Sequence, residues 1–216
     1  MKVPVDSAVH LIHEVGYGTL ATHSIHLPGF PFATVLPFVP DENHNPVFFI
    51  SKLAEHTKNL LADKRASFLI ARPDGENVQT GPRITLVGEV SQVARSVDFV
   101  AHFFRHHPDM QQLASFGDFA FYGLHPLRLR LIAGFGLAGW IEQEAWRAVP
   151  SLTLAQENAL MADLDGRAGD RLLGLDCYGA DIERAGKRVR IRFPEGPLAP
   201  EALPKAVRDS LECGEP

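Results

Sequence analysis

The sequence predicts a mainly β fold, a closed or nearly closed antiparallel barrel with a small α+β unit behind it. Three observations carry this. From Thr19 to Arg72 the chain is a succession of short β-branched and aromatic runs bounded by Pro and Gly, the texture of strands joined by tight turns. These runs lack the regular intervening helices that parallel βαβ units require. Beyond Pro150-Ser151 helical and strand patterns mix within a short stretch, which marks a separate appendage.

Taken in order, Asp6 to Val15 places Ala8, Val9, Leu11, Ile12 and Val15 at helical spacing and stops at Gly16 and Gly18, a short amphipathic opening helix. Strands are expected at Thr19 to Ile25, Phe32 to Val39, Val47 to Ser51 and Ser67 to Arg72. Arg83 to Val93 sets Ile84, Leu86 and Val90 against Arg83, Thr85 and Glu89, a long strand with one face in a core. Gly88 interrupts its inward face, where a residue without a side chain suits a bulge or tight bend. Two helical stretches punctuate the strands. Leu53, Thr57, Leu60 and Leu61 make one face of the first, and Val97, Val100, Ala101 and Phe104 a stripe on the second. Leu127, Leu129 and Leu131 then alternate with Arg128 and Arg130 before a turn at Gly134 and Gly136.

After Pro150 the pattern predicts a helix from Leu152 to Leu164, strands from Leu172 to Tyr178 and Arg188 to Phe193, and a last helix between Pro200 and Leu211. The division is therefore 1–149 and 150–216, with the second unit near the lower size limit for independent folding and expected to dock on the first.

With 216 residues, 45% hydrophobic and 22% charged, the chain can bury a substantial core. A formal charge of −5 offers no general attraction for nucleic acid or an anionic membrane. No apolar run approaches the roughly 20 residues that span a bilayer, and no basic-then-apolar leader opens the chain. A cytoplasmic protein without nucleic-acid or membrane partners is expected. Cys177 and Cys213, the only cysteines, read as structural thiols rather than a disulfide framework or metal cage. No G-x-S-x-G elbow, P-loop or H-E-x-x-H segment occurs, so acyl transfer, nucleotide hydrolysis and zincin chemistry have no local support.

The segment that carries chemistry is Ser51-Lys52-Leu53-Ala54-Glu55-His56-Thr57-Lys58-Asn59, between an apolar strand and a helix. A helix N-terminus offers unpaired N–H groups and about half a positive charge. Ser51, Lys52, His56 and Thr57 add donors at the same place, so the corner suits a phosphate. The residues alone leave a second reading open, in which Ser51 caps the helix and the other polar groups face water.

Gly18-Thr19-Leu20-Ala21-Thr22, Gly29-Phe30-Pro31-Phe32-Ala33-Thr34, the segment Ser51 to Leu60, and Arg83-Ile84-Thr85-Leu86-Val87-Gly88 occur in the order found in pyridoxamine-phosphate-oxidase-like split barrels. The chain resembles that family over nearly its whole length, and within it the haem-utilisation (HugZ-like) branch. Ala133-Gly134-Phe135-Gly136-Leu137-Ala138-Gly139-Trp140 is similar to that branch's glycine-phenylalanine-glycine turn. The resemblance implies a split antiparallel β-barrel that forms a homodimer with two shared flavin mononucleotide (FMN) sites, and a flavin-dependent oxidoreductase-like role. By position Ser51, Lys52, His56 and Thr57 would hold the phosphate, with Asn59 nearby and Thr34 and Arg83 completing the wall. It names no catalytic side chain. Haem, as ligand or substrate, is the alternative small molecule, and a non-enzymatic dimeric binding module is a third reading.

The chain departs from the family in three places. Glu55 stands in the middle of the proposed clamp, unfavourable beside a phosphate unless it points away or pairs with Lys52 or Lys58, which argues against vitamin B6 oxidation. Met161-Ala162-Asp163-Leu164 lacks the aspartate-histidine pair often present in the branch's appended domain. None of the ten histidines lies beyond His125, which argues against haem ligation by the tail.

Other motifs have ordinary readings. Gly134 to Gly139 matches G-x-G-x-x-G without the parallel strand and long helix that a dinucleotide site needs, so a turn is expected. His102 and His106, at i and i+4, have metal or iron-porphyrin binding as one reading, but with His107 a solvated or capping cluster at the helix end is expected, and His10 and His13 are read in the same way. His23 and His26 flank the Leu27-Pro28-Gly29 turn, with approach to a ligand as the lesser reading. Arg188, Arg190 and Arg192 alternate with Val189, Ile191 and Phe193. A solvated basic face is expected there, with haem propionates or a partner's acidic patch as the alternatives.

Overall fold

A computed structural model describes residues 3–72, 80–134, 136–164 and 170–212. Helix α1 (Val5–Glu14) buries Ala8, Val9, Leu11 and Ile12. It leads into β1 (Tyr17–His23), β2 (Pro31–Pro37), the short β3 (Val39–Pro40) and β4 (Pro46–Ser51). Helix α2 (Glu55–Ala62), β5 (Arg65–Ala71), β6 (Arg83–Gln92) and α3 (Val97–His106) follow, then a 3₁₀ segment (Pro108–Ser115), β7 (Phe119–Gly134), β8 (Leu137–Glu142) and α4 (Gln143–Arg147). The appendage contains α5 (Leu154–Leu164), a three-stranded sheet of β9 (Arg171–Asp176), β10 (Gly179–Arg184) and β11 (Lys187–Arg192), and α6 (Leu203–Glu212). Among the described residues no helix is long and apolar enough to cross a membrane.

The main sheet has eight antiparallel strands in the order β2-β1-β5-β6-β7-β4-β3, with β8 on the same edge of β7 as β4 but further along it. Its terminal strands, β2 and β3, are consecutive in the chain through Phe38, whose N–H donates to the Gly16 carbonyl at 3.1 Å. The covalent chain thus curls the sheet into the split barrel. Leu20, Phe68 and Leu86 lie directly opposite one another across β1, β5 and β6 and are fully buried inside it. The same apolar cluster continues through α1 and Trp146 to Leu175, Ile182 and Val207, so barrel and appendage share one core. A satellite cluster of Val39, Val47, Phe49, Phe99, Phe103, Met110 and Leu154 fills the space between β4 and α3.

Gly88 is the bulge that the sequence predicts. The β6–β7 register shifts between Val87 and Gly88, and Leu127 is the extra residue on β7. A Cβ at Gly88 would come within 2.1 Å of the His125 carbonyl oxygen, closer than any atom pair tolerates. The bulge overturns one expectation: Leu127 does not continue the buried row of Leu129 and Leu131 but is 54% exposed.

Four further expectations change. On α2 the buried residues are Thr57, Asn59 and Leu60, while Leu53 and Leu61 face solvent. On α3 they are Phe99, His102 and Phe103 rather than Val97, Val100, Ala101 and Phe104, because the histidines supply the packing face that hydropathy alone assigns elsewhere. Between the two expected strands of the appendage stands a third, β10, joined to β11 by a tight turn with Ala185 and Gly186 both at positive φ. The basic stripe on β11 is not a solvated face, as described below. The glycine-rich stretch is the β7–β8 hairpin, with Gly134 and Gly136 at φ of 150° and 78°. Phe135 and Cys213 lie outside the described residues.

Candidate functional site

The strand-to-helix corner is built by β4 and β7. Ser51 lies opposite Phe119, and the Lys52 N–H donates to the Asp118 carbonyl at 2.8 Å. The Ser51 hydroxyl donates to the Asp118 carboxylate and accepts from the Leu53 N–H at 3.0 Å. The helix begins at Glu55 with Ala54 at its cap, so Ser51 shapes the approach to α2 without capping it. Thr57 is fully buried and donates to the Ser51 carbonyl at 2.7 Å. Asn59 is fully buried too, its amide donating to Thr22 Oγ1 and its carbonyl accepting from the Ile25 N–H, each at 3.0 Å. Thr57 thus fastens α2 to the end of β4, and Asn59 fastens it to β1 and the turn beyond.

Lys52 is exposed, and His56 Nε2 is buried without a hydrogen-bond partner, a costly state for a polar atom. Burial lowers the His56 pKa. Glu55 pairs with His26 at 3.3 Å, not with Lys52 or Lys58. The corner therefore offers Lys52, His56 and the first-turn N–H groups to an anion, set against the carboxylates of Asp118 and Glu55. Thr34 lies opposite Leu20, in line with the inward row of the sheet, whereas Arg83 shares the outward parity of Thr85. Within one chain the two do not share a face of the sheet.

The outward face of the sheet holds the second candidate. Val35, Thr19, Leu69, Thr85, Arg130 and Trp140 stand in one cross-strand row, directly opposite one another from β2 to β8. The adjacent row is Ala33, Ala21, Ser67, Val87, Arg128 and Glu142. The small side chains of Ala21 and Ser67 in this row leave a trough beside their bulkier neighbours. The resulting groove, about 450 Å³, is lined by Ala21, Pro31, Ser67, Val87 and Leu127, with His23 and Arg65 among its polar groups. Arg65 is tied to Asp63 through Nε and Nη2. The Asp63 carboxyl is held well below the usual range, first by its hydrogen bonds to Arg65 and last by the charge on His23. Around the trough Tyr17, Val35, Leu69, Val87 and Trp140 are all exposed, and the Arg128 guanidinium lies 4.6 Å from the centre of the Trp140 ring.

The third cluster joins barrel to appendage and corrects the reading of the basic stripe and of three histidines, His13, His102 and His106. Arg190 has no exposed side-chain surface and lies 2.9 Å from Asp176 and 3.2 Å from Asp181. Arg188 donates to the His13 carbonyl and lies 3.4 Å from Asp181, and Arg192 pairs with Glu14. His13 shares a hydrogen bond with His44 at 2.9 Å and stands 3.3 Å from Asp176. His44 Nε2 donates to the Pro150 carbonyl. On α3, His102 meets the buried Glu157 at 3.3 Å and His106, 1% exposed, lies 3.8 Å from Asp181. The stripe thus finds its carboxylates within its own chain. Asp176 and Asp181, acidic positions inside otherwise apolar strands, were the sequence signal for it. The outward small residues Ala21 and Ser67 were the signal for the trough.

The CREG β-barrel family profile matches residues 3–148, about two thirds of the sequence. The chain belongs to the CREG β-barrel family. The match covers the barrel and stops just short of the appendage. Among relatives of this CREG-type barrel, the chloroplastic non-canonical haem oxygenase HOZ of Arabidopsis thaliana is 32% identical over 159 residues, 71% of the chain and 49% of HOZ. The chain spans about half the length of that relative. A solved protein of unknown function from Agrobacterium tumefaciens is 21% identical and superposes with a TM-score of 0.69 over 96% of this chain and 94% of its own. A haem-binding protein from Mycobacterium smegmatis is 22% identical, with a TM-score of 0.57 over 99% and 98%. At these identities the two structures speak to the fold, and they extend the likeness through the appendage.

Proposed function

We propose that this CREG-type barrel binds haem in the outward trough of a homodimer, as ligand or as substrate for degradation. The observation that carries the proposal is the trough itself, apolar along its walls and bordered by one imidazole and one guanidinium. A porphyrin is a flat apolar disc with a metal centre and two carboxylates, and these three parts match Val87 and Leu127, His23, and Arg65. The haem-oxygenase relative, at 32% identity, supports the same ligand. Haem would supply iron-centred redox chemistry. The protein's own part is to bury the disc and fix its carboxylate edge. Arg65 Nη1 lies outside its pair with Asp63 and remains for a propionate. The exposed apolar side chains bordering the trough support a second copy as the cover of this face.

FMN at the strand-to-helix corner is a second reading, favoured by one observation, the unpartnered His56 Nε2 beside Lys52. Those two would meet the phosphate, with Ser51 contributing only after leaving Asp118. Thr57 and Asn59 would hold the corner in shape, and Thr34 would stand behind it. Arg83 would contribute only from the other face of the sheet. An oxidoreductase role would follow from the flavin.

Titrating the purified chain separately with haemin and FMN, and following the visible spectrum, distinguishes the two. Saturable uptake of haemin with a Soret band, and none of FMN, is the expected result. FMN uptake without haemin uptake would reverse the order of the two readings.

A further inference from the structure

We propose that the His23 imidazole is the protein ligand to the iron of haem held in the trough, an assignment that rests on the haem reading above. It follows from a census of the ten histidines, all of them among the described residues. His10, His13, His44, His102, His106 and His107 are engaged in the seam or beside it. His10 accepts from Arg190, His107 bonds the Phe38 carbonyl at 3.0 Å, and the other four belong to the buried ion-pair cluster described above. His56 lies in the corner with its Nε2 enclosed. His26 pairs with Glu55. His125 lines a different cavity, with Asn43, Asn45 and Trp146.

His23 alone among them lines the trough. It closes β1 opposite Pro31, with the same outward parity as Thr19 and Ala21, and is exposed. Its ring is thus presented at the end of the groove where Arg65 stands. An iron ligand and a propionate partner then sit at one end of an apolar trough, with Val87 and Leu127 against the porphyrin face. The assignment needs no metal-binding histidine from the appendage.

The test is haemin titration of the full chain followed by optical and electron paramagnetic resonance spectra of the ferric complex. His23→Ala is expected to lose the Soret position and the resonance signature of nitrogen-ligated iron and to bind more weakly. Adding imidazole to His23→Gly is expected to restore both. His26→Ala and His125→Ala are expected to match the wild type. Circular dichroism of each variant checks folding, which an exposed strand-end position should not disturb. An unchanged spectrum and affinity in His23→Ala overturns the ligand assignment and leaves haem binding standing. Failure of the wild-type chain to take up haemin overturns both.

Discussion

The Ser51 hydroxyl is spent on the Asp118 carboxylate, and this pair holds the strand-to-helix corner in an arrangement that resists a phosphate. The carboxylate takes up a donor and adds a negative charge where an anion would enter. Replacing Asp118 with Asn removes the charge and keeps the shape. Affinity for inorganic phosphate or FMN, read by calorimetry, is expected to rise in Asp118→Asn over the wild type. An unchanged or lower affinity would show that the corner is not an anion site.

The Arg190 guanidinium is fully enclosed with Asp176 and Asp181. Burial opposes each of these charges; Arg190 is the leading group that keeps both carboxylates ionised, and they in turn keep it charged. Truncation to Ala removes their shared partner and leaves Asp176 with His13 and Asp181 with Arg188, so Arg190→Ala is expected to cost about 3–5 kcal/mol. Urea unfolding measures it, and a loss below about 1 kcal/mol would mean that the seam is hydrated and not structural.

Stability is expected to fall on mild acidification. Burial is the leading cause that lowers His10 and His44 to about 4 and His106 to about 3, from 6.5, with Arg190, His13 and Arg188 respectively next. Depressed histidines are neutral in the folded chain and take up protons on unfolding below pH 6.5. Their contribution is therefore complete above that value and is lost as the pH falls toward 4 and then 3. Each contributes up to about 1.4 kcal/mol per pH unit within that window. Urea midpoints at pH 7.5, 6.0 and 5.0 test this. His44→Asn suits the positive φ of 59° at that position and should flatten the slope.

Gly88→Ala drives a Cβ to 2.1 Å from the His125 carbonyl oxygen. Since backbone cannot yield as a flexible side chain does, the bulge must shift, at a cost of roughly 1–3 kcal/mol or more. A thermal melt unchanged from the wild type would contradict the geometry.

The dimer is tested by charge on the outward face. Val35→Asp with Leu69→Asp is expected to convert a dimer to a monomer in sedimentation without loss of helical or sheet content, because both side chains are exposed in the single chain. A wild-type monomer would remove the cover proposed for the trough.

What was legible in the sequence was periodic or punctuated. The opening helix, the strand of Arg83, the Gly88 bulge and the hairpin at Gly134 follow from alternation and from glycine. What was not legible depended on partners distant in sequence. Arg190 reads as a solvated strand residue until Asp176 and Asp181 arrive beside it from β9 and β10. His102 and His106 read as a capping cluster until Glu157 and Asp181 bury them. Leu127 reads as core because the bulge that turns it outward is a property of two strands. At the corner the residue types suggested donors, yet Thr57 and Asn59 spend theirs within the fold.

The central claim is that haem occupies the trough of Ala21, Ser67, Val87 and Leu127. Filling it with Ala21→Phe and Ser67→Phe, both changes on the outward face, tests that most directly in a haemin titration. The double variant is expected to fold and to lose the saturable Soret band shown by the wild type. A double variant that binds haemin with wild-type affinity and spectrum would contradict the account.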